Sequence, residues 1–156
     1  MNISIDFGNF WEALSAIGTT GAVIISLWLA RRDERRKLTV QVYLSYGMKH
    51  DNTFENESYI SIDTFNEGKR PIIIEEVGFV KRKRGRKLTI IDSTIFKQGS
   101  SGLNYKVDSN LSAMYILELE NIKQSAQREW GEKVKIRAYV RDSSGKKHFS
   151  KRHKIW

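Results

Sequence analysis

The sequence predicts a mainly β chain: an N-terminal transmembrane helix followed by an antiparallel immunoglobulin-like β-sandwich. Three observations carry this reading. Residues 13–30 run for 18 positions without a charged side chain. From Leu38 onward, apolar and polar residues alternate at period two in short runs broken by Gly, Asn, Asp and Ser. The 156 residues contain one proline, no cysteine and 11% aromatics. That composition supplies a core for one ordinary domain, and it excludes a disulfide scaffold, thiolate catalysis and cysteine-based zinc sites. The expected division is a short extracytoplasmic tail over 1–8, a transmembrane helix with a basic cytoplasmic flank over 9–36, and a cytoplasmic sandwich over 37–156.

As a helix, 13–30 would be about 27 Å long, close to the ~30 Å hydrocarbon core of a bilayer. Leu14, Ile17, Val23, Ile24, Ile25, Leu27 and Leu29 favour lipid, while Gly18, Thr19, Thr20 and Gly21 dilute that preference. Phe10, Trp11 and Trp28 are placed for the two interfaces. Asn9 followed by Glu12 reads as a capping pair that starts the helix near residue 9. A cleavable signal peptide would carry positive charge before its apolar run, and residues 1–12 hold no Lys or Arg. A buried core helix would need a larger enclosing domain, and an interfacial helix would show a charged face. Arg31, Arg32, Arg35, Arg36 and Lys37 crowd the downstream flank, against only Asp6 and Glu12 upstream. Because Lys and Arg resist translocation, this asymmetry puts the N-terminus outside and the C-terminal domain in the cytoplasm of a single-pass membrane protein.

Strands follow in order. Leu38, Val40, Val42, Leu44 and Tyr46 mark the first. Ile60 and Ile62 begin the second, which ends in the turn Asn66-Glu67-Gly68-Lys69-Arg70-Pro71. Ile72–Val80 is the third and Lys87–Asp92 the fourth, joined through a tip containing Gly85. Leu103, Tyr105 and Val107 alternate, as do Tyr115, Leu117 and Leu119. Residues 121–130 read as a short helical turn carrying Ile122 and Trp130. Val134–Val140 is the cleanest late strand, turning at Asp142-Ser143-Ser144-Gly145 into a last strand near Lys147–Lys151. Seven or eight short strands with no helix–strand alternation predict a sandwich.

The apolar stretch from Phe10 to Leu27, with its basic stop, resembles the N-terminus of many small single-pass bacterial and phage membrane proteins carrying an immunoglobulin-like β domain. The turn Asn66-x-Gly68-x-x-Pro71-Ile72, leading to Val77-Gly78-Phe79, is similar to a turn-and-strand signature of that domain. The resemblance implies the architecture and brings no catalytic residues.

Two constellations stand out. Ser15, Thr19, Ala22 and Ser26 share one helical face, with Gly18 beside them. Small residues let membrane helices approach and pair, which predicts a homo-oligomer or partner-binding seam against the background frequency of such residues in membrane helices. The second is charge. The chain carries a net +9. Lys81, Arg82, Lys83, Arg84, Arg86 and Lys87 put six cations at one hairpin tip, and Lys151, Arg152 and Lys154 form a second cluster. Without these nine, the part of the chain from Lys37 onward is neutral. The expected readings are a solvated tip, contact with anionic lipid headgroups, or nucleic acid. Single-strand binders interleave cations with aromatic platforms, and the tip contains no aromatic.

Catalytic and metal patterns are absent from the sequence, so a non-enzymatic protein without cofactors is expected. His50, His148 and His153 lack ligand partners, and His148 and His153 read as solvated. Glu75-Glu76 reads as a bulge with one carboxylate outward. Asp51, Glu55 and Glu57 read as a solvated loop, and Gly99-Ser100-Ser101-Gly102 as a flexible connector. Tyr43 and Tyr139 are candidates for an outer-face recognition patch. The functional expectation is a membrane-tethered module presenting its sandwich to a protein partner at the inner leaflet. The alternative is an oligomerising membrane-active effector, phage- or defence-related, and the third is a basic nucleic-acid-binding module.

Overall fold

A computed structural model describes residues 7–33, 37–48 and 54–156. The chain divides into two compact units, Met1–Arg35 and Arg36–Trp156. The first contains one helix, α1, over Phe7–Asp33. It starts two residues before Asn9, so Asn9 lies inside the helix rather than at its cap. A cap contributes only about 1 kcal/mol and does not by itself stop a helix from extending.

The protein is mainly β, 42% strand in antiparallel sheets. The strands are β1 (Leu38–Met48), β2 (Phe54–Asn66), β3 (Ile72–Val80), β4 (Lys87–Ile90), β5 (Tyr105–Val107), β6 (Ser112–Glu118), β7 (Lys135–Asp142), β8 (Lys147–Phe149) and β9 (His153–Lys154), with helix α2 over Leu119–Trp130. One sheet has the order β1-β2-β6. The other has the order β4-β3-β7-β8, with β5 also pairing β3 and β9 pairing β7. Side chains from both sheets merge in one core: Val40, Ile60, Ile62, Tyr115 and Leu117 from the first, and Ile72, Ile74, Val77, Phe79, Ile136 and Val140 from the second.

Local chemistry explains the layout. The turn after β2 is built on the buried amide of Asn66. Its Nδ2 donates to the carbonyls of Arg70 (2.8 Å) and Val107 (3.1 Å), and its Oδ1 accepts from the Gly68 N–H (3.0 Å). In β3, Ile72 and Ile74 face the core, yet so do Val77 and Phe79. That change of parity requires an extra residue, and the register against β7 shifts between Ile74 and Glu76 as the Glu75-Glu76 bulge predicts. Helix α2 buries Leu119, Ile122 and Ala126 at spacings of three and four, and stops at Gly131 (φ 84°), whose N–H caps the Gln127 carbonyl.

Several expectations change. β2 begins at Phe54, so Glu55 and Glu57 belong to a strand rather than a loop, while Asp51 and His50 lie outside the described residues. The inward face of β1 leaves the core after Val42, and Leu44 and Tyr46 are exposed. The segment Gly99-Ser100-Ser101-Gly102 is pinned rather than free. Ser101 N–H donates to the Met114 carbonyl (2.7 Å), and Ser100 Oγ accepts from the Ile116 N–H (2.9 Å), covering the outer edge of β6.

Candidate functional site

Helix α1 presents the first candidate surface. Over Phe10–Arg31, 22 residues that include an 18-residue window with a mean hydropathy of 1.8, it is long and apolar enough to cross a membrane, and none of that window is buried. Phe10, Trp11, Ile17, Ile24, Leu27 and Trp28 are each more than half exposed. On the small-residue seam, nothing lies within 4 Å of a methyl built on Gly18. The Thr19 hydroxyl bonds back to the carbonyls of Ser15 (2.9 Å) and Ala16 (3.0 Å). Ser15, Ala22 and Ser26 are exposed on the helix, as is Arg31 at its end. Arg32 lies in the last turn of α1, and Arg35 and Arg36 lie outside the described residues. Lys37 pairs with Glu67, tying the start of β1 to the turn after β2.

The basic hairpin tip between β3 and β4 is mounted on a buried carboxylate. Glu76 turns to the outer face of its sheet, where Lys87 and Tyr139 meet its Oε1. Thr89 donates to the same oxygen (3.2 Å), and Arg141 Nε holds Oε2 at 2.8 Å. Burial alone would raise its pKa. The hydrogen bonds from Lys87, Tyr139 and Arg141 outweigh burial and hold it at about 2. Burial, and then the Glu76 carboxylate, push the Tyr139 phenol up, so it stays a neutral donor. Tyr139 is wholly buried, so the recognition patch expected from it with Tyr43 does not form. Its ring lies across Gly78, where an added methyl would sit 2.1 Å from the Leu88 carbonyl oxygen and 2.9 Å from the Tyr139 ring.

Further contacts fix the tip itself. Arg86 pairs with Glu129 of α2 (3.2 Å), and Lys83 lies over the Phe149 ring at 5.4 Å. Among the described residues, Lys81, Arg82 and Arg84 form no ion pair. Lys81 and Arg82 line a cleft of about 370 Å³ with Trp130, Lys133, Lys135 and Arg152. A second cleft of about 370 Å³ shares Lys81, Arg82 and Trp130 and runs on to Gly85 and Arg86. The two clusters far apart in sequence thus meet through Arg152, while Lys151 lies in another groove with His153 and residues 39–43 of β1. Lys154 stands directly opposite Lys135 in the β7–β9 register. Trp130, Lys133 and Lys135 were not among the expected site residues. The only signal for Lys133 and Lys135 is the charge flanking the Val134–Val140 run, and Trp130 reads in sequence only as part of the 121–130 helical turn.

His148 is buried rather than solvated, its Nε2 lying 3.0 Å from Asp142 Oδ2. Asp142 also accepts from the Ser144 N–H (2.9 Å) and the Lys146 N–H (3.1 Å), closing the β7–β8 turn. Burial opposes its charge, yet the bonds from Ser144, His148 and Lys146 hold its carboxyl below the usual range. Among the described residues, no group of three or more His, Asp or Glu side chains is placed to hold a metal ion. No known protein family matches the chain, and no curated protein matches it.

Proposed function

We propose that this is a single-pass membrane protein that tethers a non-enzymatic β interaction domain to the cytoplasmic face of the bilayer. The observation that carries the reading is the 22-residue apolar span with no buried residue. An exposed apolar surface of this extent is stable only when lipid or protein covers it. Its helical length of about 33 Å matches the hydrocarbon thickness. The cations from Arg31 to Lys37 support an outside N-terminus by their resistance to translocation.

The β domain reads as an immunoglobulin-like sandwich. The orders β1-β2-β6 and β4-β3-β7-β8 correspond to A-B-E and C′-C-F-G of that fold, with a shared core between them. Anchoring such a domain raises its concentration near other membrane components, which supports binding to a protein partner there.

The absence of native cysteine makes the test direct. Full-length protein should stay in the membrane pellet after alkaline carbonate extraction. In intact cells a membrane-impermeant maleimide should label Ser4→Cys and leave Ser143→Cys unlabelled until the cells are opened. Release by carbonate would overturn the anchor, and the reverse labelling would overturn the orientation.

A further inference from the structure

The paired clefts around Trp130 have no place in the tether, and their chemistry is specific. Five cations, Lys81, Arg82, Lys133, Lys135 and Arg152, line one of them against a single acid, Glu132. That acid accepts a hydrogen bond from the Gln127 side-chain amide (3.0 Å) and forms no ion pair with any of the five. Among the described residues none of the five has an ion pair. Like charges also face each other directly at Lys135 and Lys154, an arrangement that costs stability in a strand pair. Lys133 is held at φ 54°, a left-handed conformation unfavourable for a side chain with a Cβ. The fold therefore keeps a concave concentration of positive charge in which, among the described residues, none of the five cations is met by an ion pair.

The half-buried indole of Trp130 lines both clefts. It supplies the aromatic element that the hairpin tip lacks in sequence. A groove with cations along both halves and an aromatic ring between them matches a ligand that alternates phosphates with planar rings. A flat bilayer meets protruding side chains, whereas a flexible strand can enter a concave groove. We propose that these clefts bind single-stranded nucleic acid, with phosphates on Lys81, Arg82, Lys133, Lys135 and Arg152 and a base stacked on Trp130.

The test uses full-length protein in uncharged detergent micelles and a fluorescein-labelled 15-nucleotide single strand followed by anisotropy. Five phosphate contacts predict binding about 100-fold weaker at 200 mM than at 50 mM salt. Trp130→Ala should weaken binding about tenfold, and Trp130→Phe, which keeps a ring and the local packing, should recover most of it. The exposed double variant Arg82→Glu/Arg152→Glu, remote from the core, should abolish binding at 100 mM salt and lower the salt slope. An abasic strand of equal length should bind about tenfold more weakly than the normal strand. No binding at 50 mM salt would overturn the proposal. So would equal affinity for the abasic strand, or displacement of the oligonucleotide by phosphatidylserine vesicles with no effect of Trp130→Ala.

Discussion

The two units use the same apolar residues in opposite ways. In α1, Ile17, Val23, Ile24 and Ile25 are 57–70% exposed, whereas Ile60, Ile62, Ile72, Ile74 and Val107 of the β domain are wholly buried. The helix satisfies its backbone internally and leaves its apolar side chains exposed, the arrangement that a membrane-crossing helix needs. The sheets satisfy their backbone between strands and bring apolar faces together, so the β domain carries its own hydrophobic stabilisation. The glycines repeat the contrast. A methyl on Gly18 or Gly21 meets nothing within 4 Å, while one on Gly78 meets the Leu88 carbonyl oxygen at 2.1 Å.

The largest expected effect breaks or upholds that contrast directly. Gly78→Ala forces β3 and β4 apart or displaces Tyr139 from Glu76, and should cost more than about 4 kcal/mol. Gly18→Ala should leave the β domain unchanged and slightly favour the helix. Urea denaturation of both variants in micelles, followed by near-UV circular dichroism, separates them. Comparable losses in the two would mean that α1 is packed against protein.

A smaller effect sharpens the contrast through pH. Glu76 has a folded pKa of about 2 against 4.5 for the free side chain. Between those values the unfolded chain binds more protons, so the stabilisation is complete above about pH 4.5 and lost as pH falls toward 2. Lys87 and Arg141 are partly solvated, with side chains 43% and 35% exposed. Screening therefore limits the contribution to about 2 kcal/mol. Acid should loosen the β domain while far-UV helicity from α1 persists, and Glu76→Gln should flatten the pH dependence between 4.5 and 2. An unchanged profile in that variant would show that another carboxylate governs the acid limb.

How much of this is legible in the sequence depends on the range of the interaction. β3 is found at its predicted limits, Ile72–Val80, because Asn66-x-Gly68 and Pro71 punctuate one end and the basic tip the other. The Glu75-Glu76 bulge is equally local. The early part of β2 is hidden because Glu55, Asn56, Glu57 and Ser58 supply no apolar alternation. His148 reads as surface because its lysine neighbours are exposed, whereas its burial comes from Asp142 across the hairpin turn. The serines at 100 and 101 look like a linker because composition does not reveal that their hydroxyls and amides dock on β6. Most remote of all is the basic cleft. It needs the end of α2, the tip after β3 and the segment before β9 in one place, which only tertiary packing provides.

The smallest expected effect concerns the helix alone and decides between tether and oligomerising effector. Gly18→Leu with Ala22→Leu fills the small-residue seam of α1, where Gly18 has open space around it. A seam that pairs helices needs either close backbone approach or hydroxyls free to bond across. Thr19 spends its donor on Ser15 and Ala16 within its own helix, so pairing would rest on close approach at Gly18 and Ala22 and on the Ser15 and Ser26 hydroxyls. For a tether, the double variant should match the wild type in micelle sedimentation, in membrane retention and in the growth of cells expressing it. If the wild type sediments as an oligomer that the leucines dissolve, and leakage or toxicity on expression disappears with it, then self-association is the activity and the β domain serves to control it.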